Sequence, residues 1–160
     1  MSEKYYTQME AARKGIITEE MRAVARKEYR TEEEIRDLVA KGQVAICANK
    51  RHKCLDPNGV GSMLRTKINV NLGVSKDCKD YEVEMEKVMA AVNMGAEAIM
   101  DLSSHGNTQP FRRKLTQECP AMIGTVPVYD SVIHYKRDLA TLTAKDFIDV
   151  VLSLIHISEP

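Results

Sequence analysis

The sequence predicts an α/β fold in which parallel strands alternate with helices. Three extended apolar segments support this prediction, at residues 67–73 (KINVNLG), 98–103 (AIMDLS) and 122–129 (MIGTVPVY). They recur at one interval, since 29 residues separate Asn71 from Met100 and another 29 separate Met100 from Tyr129. A helical pattern fills each gap, and a strand–helix period of this size is typical of β/α repeats. In such folds the carboxyl ends of the strands usually carry the functional residues.

Composition and charge limit the class of protein. The chain has 160 residues, 44% of them hydrophobic and 29% charged, as in one globular domain of ordinary size. The chain has 23 lysine and arginine residues and 23 aspartate and glutamate residues, so its net charge is zero. This balance predicts that it binds neither nucleic acid nor a membrane surface. The polar start MSEKYYTQME lacks the apolar stretch of a secretory signal, so we expect a cytoplasmic protein.

The four cysteines offer no metal-binding pattern. Cys47, Cys54, Cys78 and Cys119 include no CxxC pair, so their spacing predicts neither a zinc site nor an iron–sulfur site in this chain. We interpret them as reduced thiols of a cytosolic protein, where stable disulfides are rare.

The N-terminal region, residues 1–62, is predicted to be mostly helical with one short strand. A first helix covers residues 7–14. Thr18 begins a second helix, because a threonine side chain caps free amides there. Thr31 and Glu34 have the spacing of a capping box, which marks the start of a third helix.

A short apolar strand at residues 44–48 leads into a polar loop at 49–61. The triplet PNG at residues 57–59 predicts a turn in this loop. The basic cluster KRHK at residues 50–53 has the charge to hold a phosphate, and a solvated surface cluster is the alternative.

The repeat itself occupies residues 63–151 and is predicted to form three β/α units. The predicted strands are 64–72, 98–102 and 122–128, and the predicted helices are 80–94, 110–118 and one that Thr143 and Asp146 cap. Apolar side chains follow helical spacing along the first of these helices, at Met85, Val88, Met89 and Val92. Methionines at this spacing are typical of a core.

Strand alternation gathers ligand-capable residues on one predicted face. This face holds Asn69, Asn71 and Gly73, then Ala98, Met100 and Leu102, then Ile123, Thr125, Pro127 and Tyr129. Parallel strands joined by helical crossovers build either a closed barrel or an open doubly wound sheet, and the pattern leaves both possible. A barrel typically needs eight units in about 250 residues, so we expect this chain to be a piece of a larger protein.

Four motifs resemble one enzyme family. They are residues 7–21 (TQMEAARKGIITEEM), 67–73 (KINVNLG), 95–103 (GAEAIMDLS) and 120–129 (PAMIGTVPVY). Together they are similar to the N-terminal part of the hydroxymethylpyrimidine phosphate synthases, the ThiC family of thiamine biosynthesis. The resemblance runs from Thr7 to Val151 and so covers nearly the whole chain.

The resemblance implies a fold and a reaction. It implies that the chain is the N-terminal part of a (β/α)8 TIM barrel in a radical S-adenosylmethionine lyase. A 4Fe-4S cluster and S-adenosylmethionine would generate the radical that rearranges aminoimidazole ribotide into hydroxymethylpyrimidine phosphate. The resemblance also implies a zinc ion, an electron donor such as ferredoxin or flavodoxin, and a homodimeric full-length protein. Its metal ligands lie C-terminal to the matching motifs, so we expect the 160-residue chain alone to be inactive, with no catalytic residue and no metal ligand.

The resemblance also implies three substrate-binding residues, Asn71, Met100 and Tyr129. Asn71 offers an amide to the ribotide, and the alternative is a cap of the strand end. Tyr129 offers a phenol hydroxyl, and the alternative is packing at the top of a barrel. Met100 is assigned from the resemblance alone, because a methionine on a strand is usually part of the core.

Residues 152–160 (LSLIHISEP) depart from the family pattern. They look like the translation of a sequencing-library adapter, so we expect a non-native tail after Val151.

Two other functions are compatible with the sequence. The related hydroxybenzimidazole synthase of anaerobic cobamide biosynthesis uses the same ribotide and radical chemistry. A non-catalytic α/β module that binds a small phosphate ligand is the other alternative.

Overall fold

The computed structural model describes residues 5–49 and 51–157, with side chains described as far as residue 154. The chain divides into two compact units. The first unit holds residues up to 48 together with 56–67, and the second holds 49–55 together with the chain from 68 onward. Among the helices in residues 5–49 and 51–157, none has both the length and the hydrophobicity of a transmembrane segment.

The first unit combines three helices with a two-stranded sheet. Its elements are α1 (Gln8–Arg13), α2 (Glu19–Glu28), α3 (Glu32–Ala40), β1 (Val44–Cys47) and β2 (Asn58–Gly61). The predicted helix starts are confirmed, because Thr18 caps α2 and Thr31 forms a capping box with Glu34. Buried side chains from all three helices and β1 form its core, including Met21, Val24, Ile35, Val39 and Val44.

Strand β2 corrects the predicted loop at residues 49–61. Asn58 and Gly59 pair antiparallel with Cys47 and Ile46 of β1 instead of forming a turn. The NGVG sequence of β2 gives no apolar alternation, so no strand signal is visible in it. Its glycines allow close packing: a Cβ on Gly61 would lie 2.1 Å from the carbonyl oxygen of Gln43.

The second unit is built on a three-stranded parallel sheet. Its elements are β3 (Asn69–Leu72), α4 (Tyr81–Asn93), β4 (Ala98–Asp101), α5 (Gln109–Glu118), β5 (Met122–Thr125), α6 (Pro127–Tyr135), a short 3₁₀ helix (Leu139–Thr141) and α7 (Ala144–Ile157). The strand order is β3-β4-β5, and both pairings are parallel. The predicted α/β class is therefore confirmed. Three strands in this order occur both in a barrel and in one half of a doubly wound sheet.

Register divides the sheet residues between two faces. Val70, Ile99 and Ile123 are aligned across the strands, and they pack against buried residues of α4 and α5 such as Val88 and Leu115. We call the face with Val70, Leu72, Ile99, Asp101, Ile123 and Thr125 the core face. The opposite face, with Asn69, Asn71, Ala98, Met100, Met122 and Gly124, is the Asn71 face.

The register corrects the predicted parity of the third strand. Met100 is aligned with Gly124, so Ile123 and Thr125 lie on the core face and not with Asn71. A Cβ built on Gly124 would lie 2.7 Å from Cε of Met100, which shows that these two residues share a face. The sequence of this strand, MIGT, shows no alternation of apolar and polar residues clear enough to assign its faces.

Two predicted strands are shorter than expected. Strand β3 begins at Asn69 and not at residue 64. The backbone before it binds carboxylates instead of a neighbouring strand, because the amide of Arg65 donates to Glu28 and the amide of Ile68 donates to Glu97. Strand β5 ends at Thr125 and not at residue 128, because Pro127 starts α6. Proline lacks the N–H that a strand ladder needs and suits the first turn of a helix.

Candidate functional site

The carboxyl ends of β3 and β4 stay paired beyond the strands. The amide of Leu102 donates to the carbonyl of Leu72 at 2.7 Å, and the amide of Ser104 donates to that of Val74 at 2.9 Å. Between them, Gly73 has a φ of +140°, and a Cβ there would lie 2.5 Å from the backbone nitrogen of Ser103. Only glycine permits this approach, so Gly73 sets the spacing of the two strand ends.

The side chains of Glu84 and Ser103 accept hydrogen bonds from the backbone of the same turn. Glu84 of α4 is buried, and its Oε2 accepts a hydrogen bond from the amide of Gly73 at 2.9 Å. Its Oε1 lies 2.5 Å from Nζ of Lys87, so the buried carboxylate has a cationic partner. The buried hydroxyl of Ser103 accepts a hydrogen bond from the amide of Val74 at 3.1 Å.

A buried arginine joins the end of β4 to the start of α6. Nε of Arg112, on α5, lies 2.7 Å from Oδ2 of Asp101, and its Nη1 lies 2.8 Å from Oδ1 of Asp130. Thr108 donates its hydroxyl to the same Asp130 oxygen at 3.2 Å. Asp101 also accepts a hydrogen bond from the amide of Ser103 at 2.9 Å. All five residues are buried.

Two carboxylates therefore share one guanidinium in this cluster. Burial alone would lower the pKa of Arg112, but its hydrogen bonds and attraction to Asp130 and Asp101 raise it, so the guanidinium stays charged. Burial raises the pKa of Asp130, and the negative charge of Asp101 adds to this effect against the opposing influence of Arg112. The cluster carries one negative charge in excess while both aspartates are ionised.

A cavity of about 100 Å³ adjoins this cluster. Thr108, Arg112, Asp130 and His134 are among the residues that bound it. Nη2 of Arg112 and Oδ2 of Asp130 have no hydrogen-bond partner in the described part of the chain. A polar cavity of this size has room for several water molecules that would satisfy both atoms. None of the three predicted substrate-binding residues is among the described residues that bound it.

The structure places two of the predicted contacts side by side. Asn71 of β3 and Met100 of β4 are register partners on the Asn71 face. Asn71 is exposed, and its Oδ1 accepts a hydrogen bond from Nδ2 of Asn69 at 2.9 Å. This bond points the amide nitrogen of Asn71 away from Asn69 and leaves a donor for a ligand. Met100 is half-buried beside Gly124.

Tyr129 was predicted to lie at the end of a strand, and the structure corrects this prediction. It lies in the first turn of α6, where its amide donates to the carbonyl of Val126 at 3.1 Å. The residue is 43% exposed. Helix α6 starts two residues after β5 ends, and Tyr129 therefore follows the same carboxyl edge of the sheet as the other two residues.

The basic cluster at residues 50–53 does not act as one surface patch. Lys50 lies outside the described residues, while Arg51 and Lys53 are exposed. His52 is buried, and its Nε2 lies 2.6 Å from the carbonyl oxygen of Cys119. Burial lowers the pKa of His52, so a neutral ring donates this hydrogen bond at physiological pH.

The described residues do not fit a metal or an iron–sulfur cluster. They contain no group of three or more histidine, cysteine, aspartate or glutamate side chains that could hold a metal ion. The four cysteines are free thiols, and burial raises the pKa of Cys54 and of Cys119. Protonated thiols are poor metal ligands.

The Arg112 cluster is the part of the site that the sequence patterns do not reveal. One signal exists, because Asp101 is a carboxylate inside the apolar segment AIMDLS. A buried carboxylate requires a partner, and arginine pairs strongly with carboxylates. The sequence does not indicate which arginine takes this role.

Comparison with known proteins gives consistent matches. The family model described as "Radical SAM ThiC family" matches residues 7–156. Curated relatives named phosphomethylpyrimidine synthase are similar to this chain. The one from Alkaliphilus oremlandii is 59% identical over 148 residues, and the one from Alkaliphilus metalliredigens is 60% identical over 147. The one from Clostridioides difficile is 56% identical over 147 residues.

These alignments cover 92% of this chain and 34% of each relative. The chain therefore spans about a third of the length of the curated relatives it matches.

Proposed function

The chain belongs to the radical SAM ThiC family, and we propose that the complete protein is a phosphomethylpyrimidine synthase of thiamine biosynthesis. It would convert aminoimidazole ribotide to hydroxymethylpyrimidine phosphate by radical S-adenosylmethionine chemistry, as a lyase. The observation that supports this proposal is identity of 56–60% to relatives of that name over nearly the whole chain.

Within that protein, residues 63–151 would form the first three units of a (β/α)8 barrel, preceded by residues 1–62. The parallel order β3-β4-β5 supports this proposal, as does the packing of α4 and α5 on one face. The Asn71 face would then line the barrel interior, where ligands bind at the carboxyl ends of the strands.

Asn71, Met100 and Tyr129 would contact the ribotide. Asn71 and Met100 are neighbours across two strands, which favours contact with one ligand. The amide of Asn71 would bind a polar group, the thioether of Met100 would pack against the imidazole, and the hydroxyl of Tyr129 would donate a hydrogen bond. This chain would therefore bind and orient the substrate.

In the complete protein the family's 4Fe-4S cluster, with S-adenosylmethionine, and its zinc would bind to residues C-terminal to the matched motifs; the described residues contain no group of three or more metal-ligating side chains. A ferredoxin or flavodoxin would supply the electron. We propose a homodimer in the cytoplasm as the working form.

The names of the relatives favour the thiamine product over hydroxybenzimidazole. Membership of a radical enzyme family likewise disfavours a non-catalytic phosphate-binding module.

The test is product analysis of the complete protein. The protein is purified without oxygen, its cluster is reconstituted, and it is incubated with aminoimidazole ribotide, S-adenosylmethionine and dithionite. Mass spectrometry should detect hydroxymethylpyrimidine phosphate. Hydroxybenzimidazole in its place, or ribotide binding with no turnover by a protein whose cluster is intact, would show that the proposal is wrong.

A further inference from the structure

The residues next to the three proposed contacts are tied together by buried polar groups. Asp101 follows Met100 on β4, and Asp130 follows Tyr129 on α6. Both carboxylates bind the same guanidinium, that of Arg112. Arg112 is therefore joined to the immediate neighbours of two proposed contacts while lying on a third element, α5.

The network continues through Ser103 toward the strand that carries the third contact, Asn71. Asp101 accepts a hydrogen bond from the backbone amide of Ser103. The hydroxyl of Ser103 accepts a hydrogen bond from the backbone amide of Val74, which lies three residues after Asn71. The carbonyl of Val74 in turn accepts a hydrogen bond from Ser104. A series of side-chain hydrogen bonds thus runs from Asp130 in the first turn of α6 to Val74, two residues after β3 ends.

This geometry requires arginine. Nε and Nη1 of one planar group bind two carboxylates at 2.7 and 2.8 Å. Lysine has a single charged nitrogen and cannot reproduce two fixed directions from one rigid fork.

The location separates Arg112 from the ligand side of the sheet. Asp101 lies on the core face, opposite Met100, so Arg112 approaches β4 from the side that α4 and α5 cover. Arg112 therefore acts on the Asn71 face only through the backbone of β4 and of α6.

We propose that Arg112 is a positioning residue that holds Met100 and Tyr129 in the geometry that binds the ribotide. The inference rests on the proposed function. Its consequence is that loss of the double contact weakens substrate binding, because Met100 and Tyr129 leave the positions in which they contact the ligand.

The experiment compares three variants of the complete protein. Arg112→Lys keeps the charge and removes the fork. Asp130→Asn keeps the shape of the side chain and weakens one of the two contacts. Arg113→Lys is the matched control, because Arg113 is the next residue of α5 and is exposed. Calorimetry then measures the Kd of aminoimidazole ribotide well below the unfolding midpoint of every variant.

We expect Arg112→Lys to raise this Kd about tenfold or more and Asp130→Asn to raise it about threefold. Arg113→Lys should leave it unchanged. A second measurement does not depend on the ribotide: the ¹³C methyl resonance of Met100, assigned with Met100→Leu, should shift in Arg112→Lys and not in Arg113→Lys.

The outcomes are distinguishable. A folded Arg112→Lys protein with wild-type Kd overturns the inference and leaves the proposed function intact, and so does an unmoved Met100 resonance. If Arg112→Lys does not fold, an unchanged Kd in Asp130→Asn overturns it equally. A wild-type protein that does not bind the ribotide overturns the proposed function and, with it, this inference.

Discussion

The two faces of the parallel sheet differ in what they contact, although the same three strands form both. On the core face, Val70, Ile99 and Ile123 pack against α4 and α5. On the Asn71 face, Asn71 is exposed and Met100 is half-buried. Alternation along each strand thus separates residues that stabilise the fold from residues available to a ligand. For adjacent residues of one strand, substitution on the core face should therefore lower the free energy of unfolding, and substitution on the Asn71 face should weaken ligand binding.

Gly73→Ala should produce the largest loss of stability. Gly73 directly follows the last residue of β3, at the carboxyl edge of the sheet. The substitution adds a positive-φ penalty and a 2.5 Å contact with the backbone of Ser103. Together these should lower the free energy of unfolding by about 2–6 kcal/mol. Urea denaturation of the 160-residue chain, followed by circular dichroism, measures it.

The control for this prediction is Gly95→Ala. Gly95 also has positive φ, at +97°, but a Cβ there would meet nothing within 4 Å. It should cost only about 1 kcal/mol. Equal losses at the two positions would contradict a role for Gly73 in spacing the strand ends.

Ile99→Ala tests the core face directly. Ile99 is fully buried between the helices and the sheet, so truncation should lower the free energy of unfolding by about 2–5 kcal/mol. Ile148→Ala on α7 is the control, because that side chain is 57% exposed and should lose less than about 1 kcal/mol. A loss below 1 kcal/mol at Ile99 would show that this face does not form the core.

Glu28 provides an ionic comparison with the apolar core face. Its carboxylate lies 2.6 Å from Nζ of Lys67 and accepts the amide hydrogen of Arg65 at 2.8 Å. Burial opposes ionisation of Glu28, but these two partners outweigh it and lower the pKa. The stabilisation from a lowered carboxyl pKa is present above the unfolded value of about 4.3 and is lost as pH falls through the folded value.

Glu28→Gln should accordingly lower the free energy of unfolding by roughly 1–3 kcal/mol at pH 7. The loss relative to wild type should shrink below pH 4, whereas the loss in Ile99→Ala should not depend on pH. Urea unfolding at pH 7, 5 and 3.5 makes the comparison. A Glu28→Gln difference that is constant across this range would contradict the ionic role of Glu28.

Gly124→Ala should have a small effect on stability and still disturb the Asn71 face. The new methyl would lie 2.7–2.8 Å from the flexible end of Met100, which has to move aside. Because only a side-chain tip moves, the loss of stability should be under about 1.5 kcal/mol. The Kd of the complete protein for the ribotide should rise several-fold, and an unchanged Kd would argue against contact by Met100.

Local signals in the sequence predicted much of this fold. The 29-residue spacing located β3, β4 and the helices between the strands, and threonine caps located the starts of α2 and α3. These features depend on a few neighbouring residues, so the sequence states them directly.

Tertiary features were harder to predict. Residues 122–129 (MIGTVPVY) show no regular alternation, so periodicity did not show that the chain changes from β5 to α6 at Pro127. Strand β2 is held by pairing with β1 and not by its own pattern. The partner of Asp101 depends on how α5 packs, which no local pattern contains.

The non-native tail at residues 152–160 stays a prediction. The family match extends to residue 156, five residues into that segment, and α7 runs to Ile157. A nucleotide read across Val151 in the source genome tests it, because an uninterrupted gene that encodes LSLIHISEP would show that the segment is native.

The separation of the two faces is tested most directly by two neighbouring residues of β3. Asn71→Ala and Val70→Ala are made in the complete protein, and both the ribotide Kd and the free energy of unfolding are measured. Asn71→Ala should raise the Kd about 3- to 10-fold, the value of one hydrogen bond, with little change in stability. Val70→Ala should lower stability by about 1–2 kcal/mol and leave the Kd unchanged. The reverse pattern, or equal effects at both positions, would contradict the account.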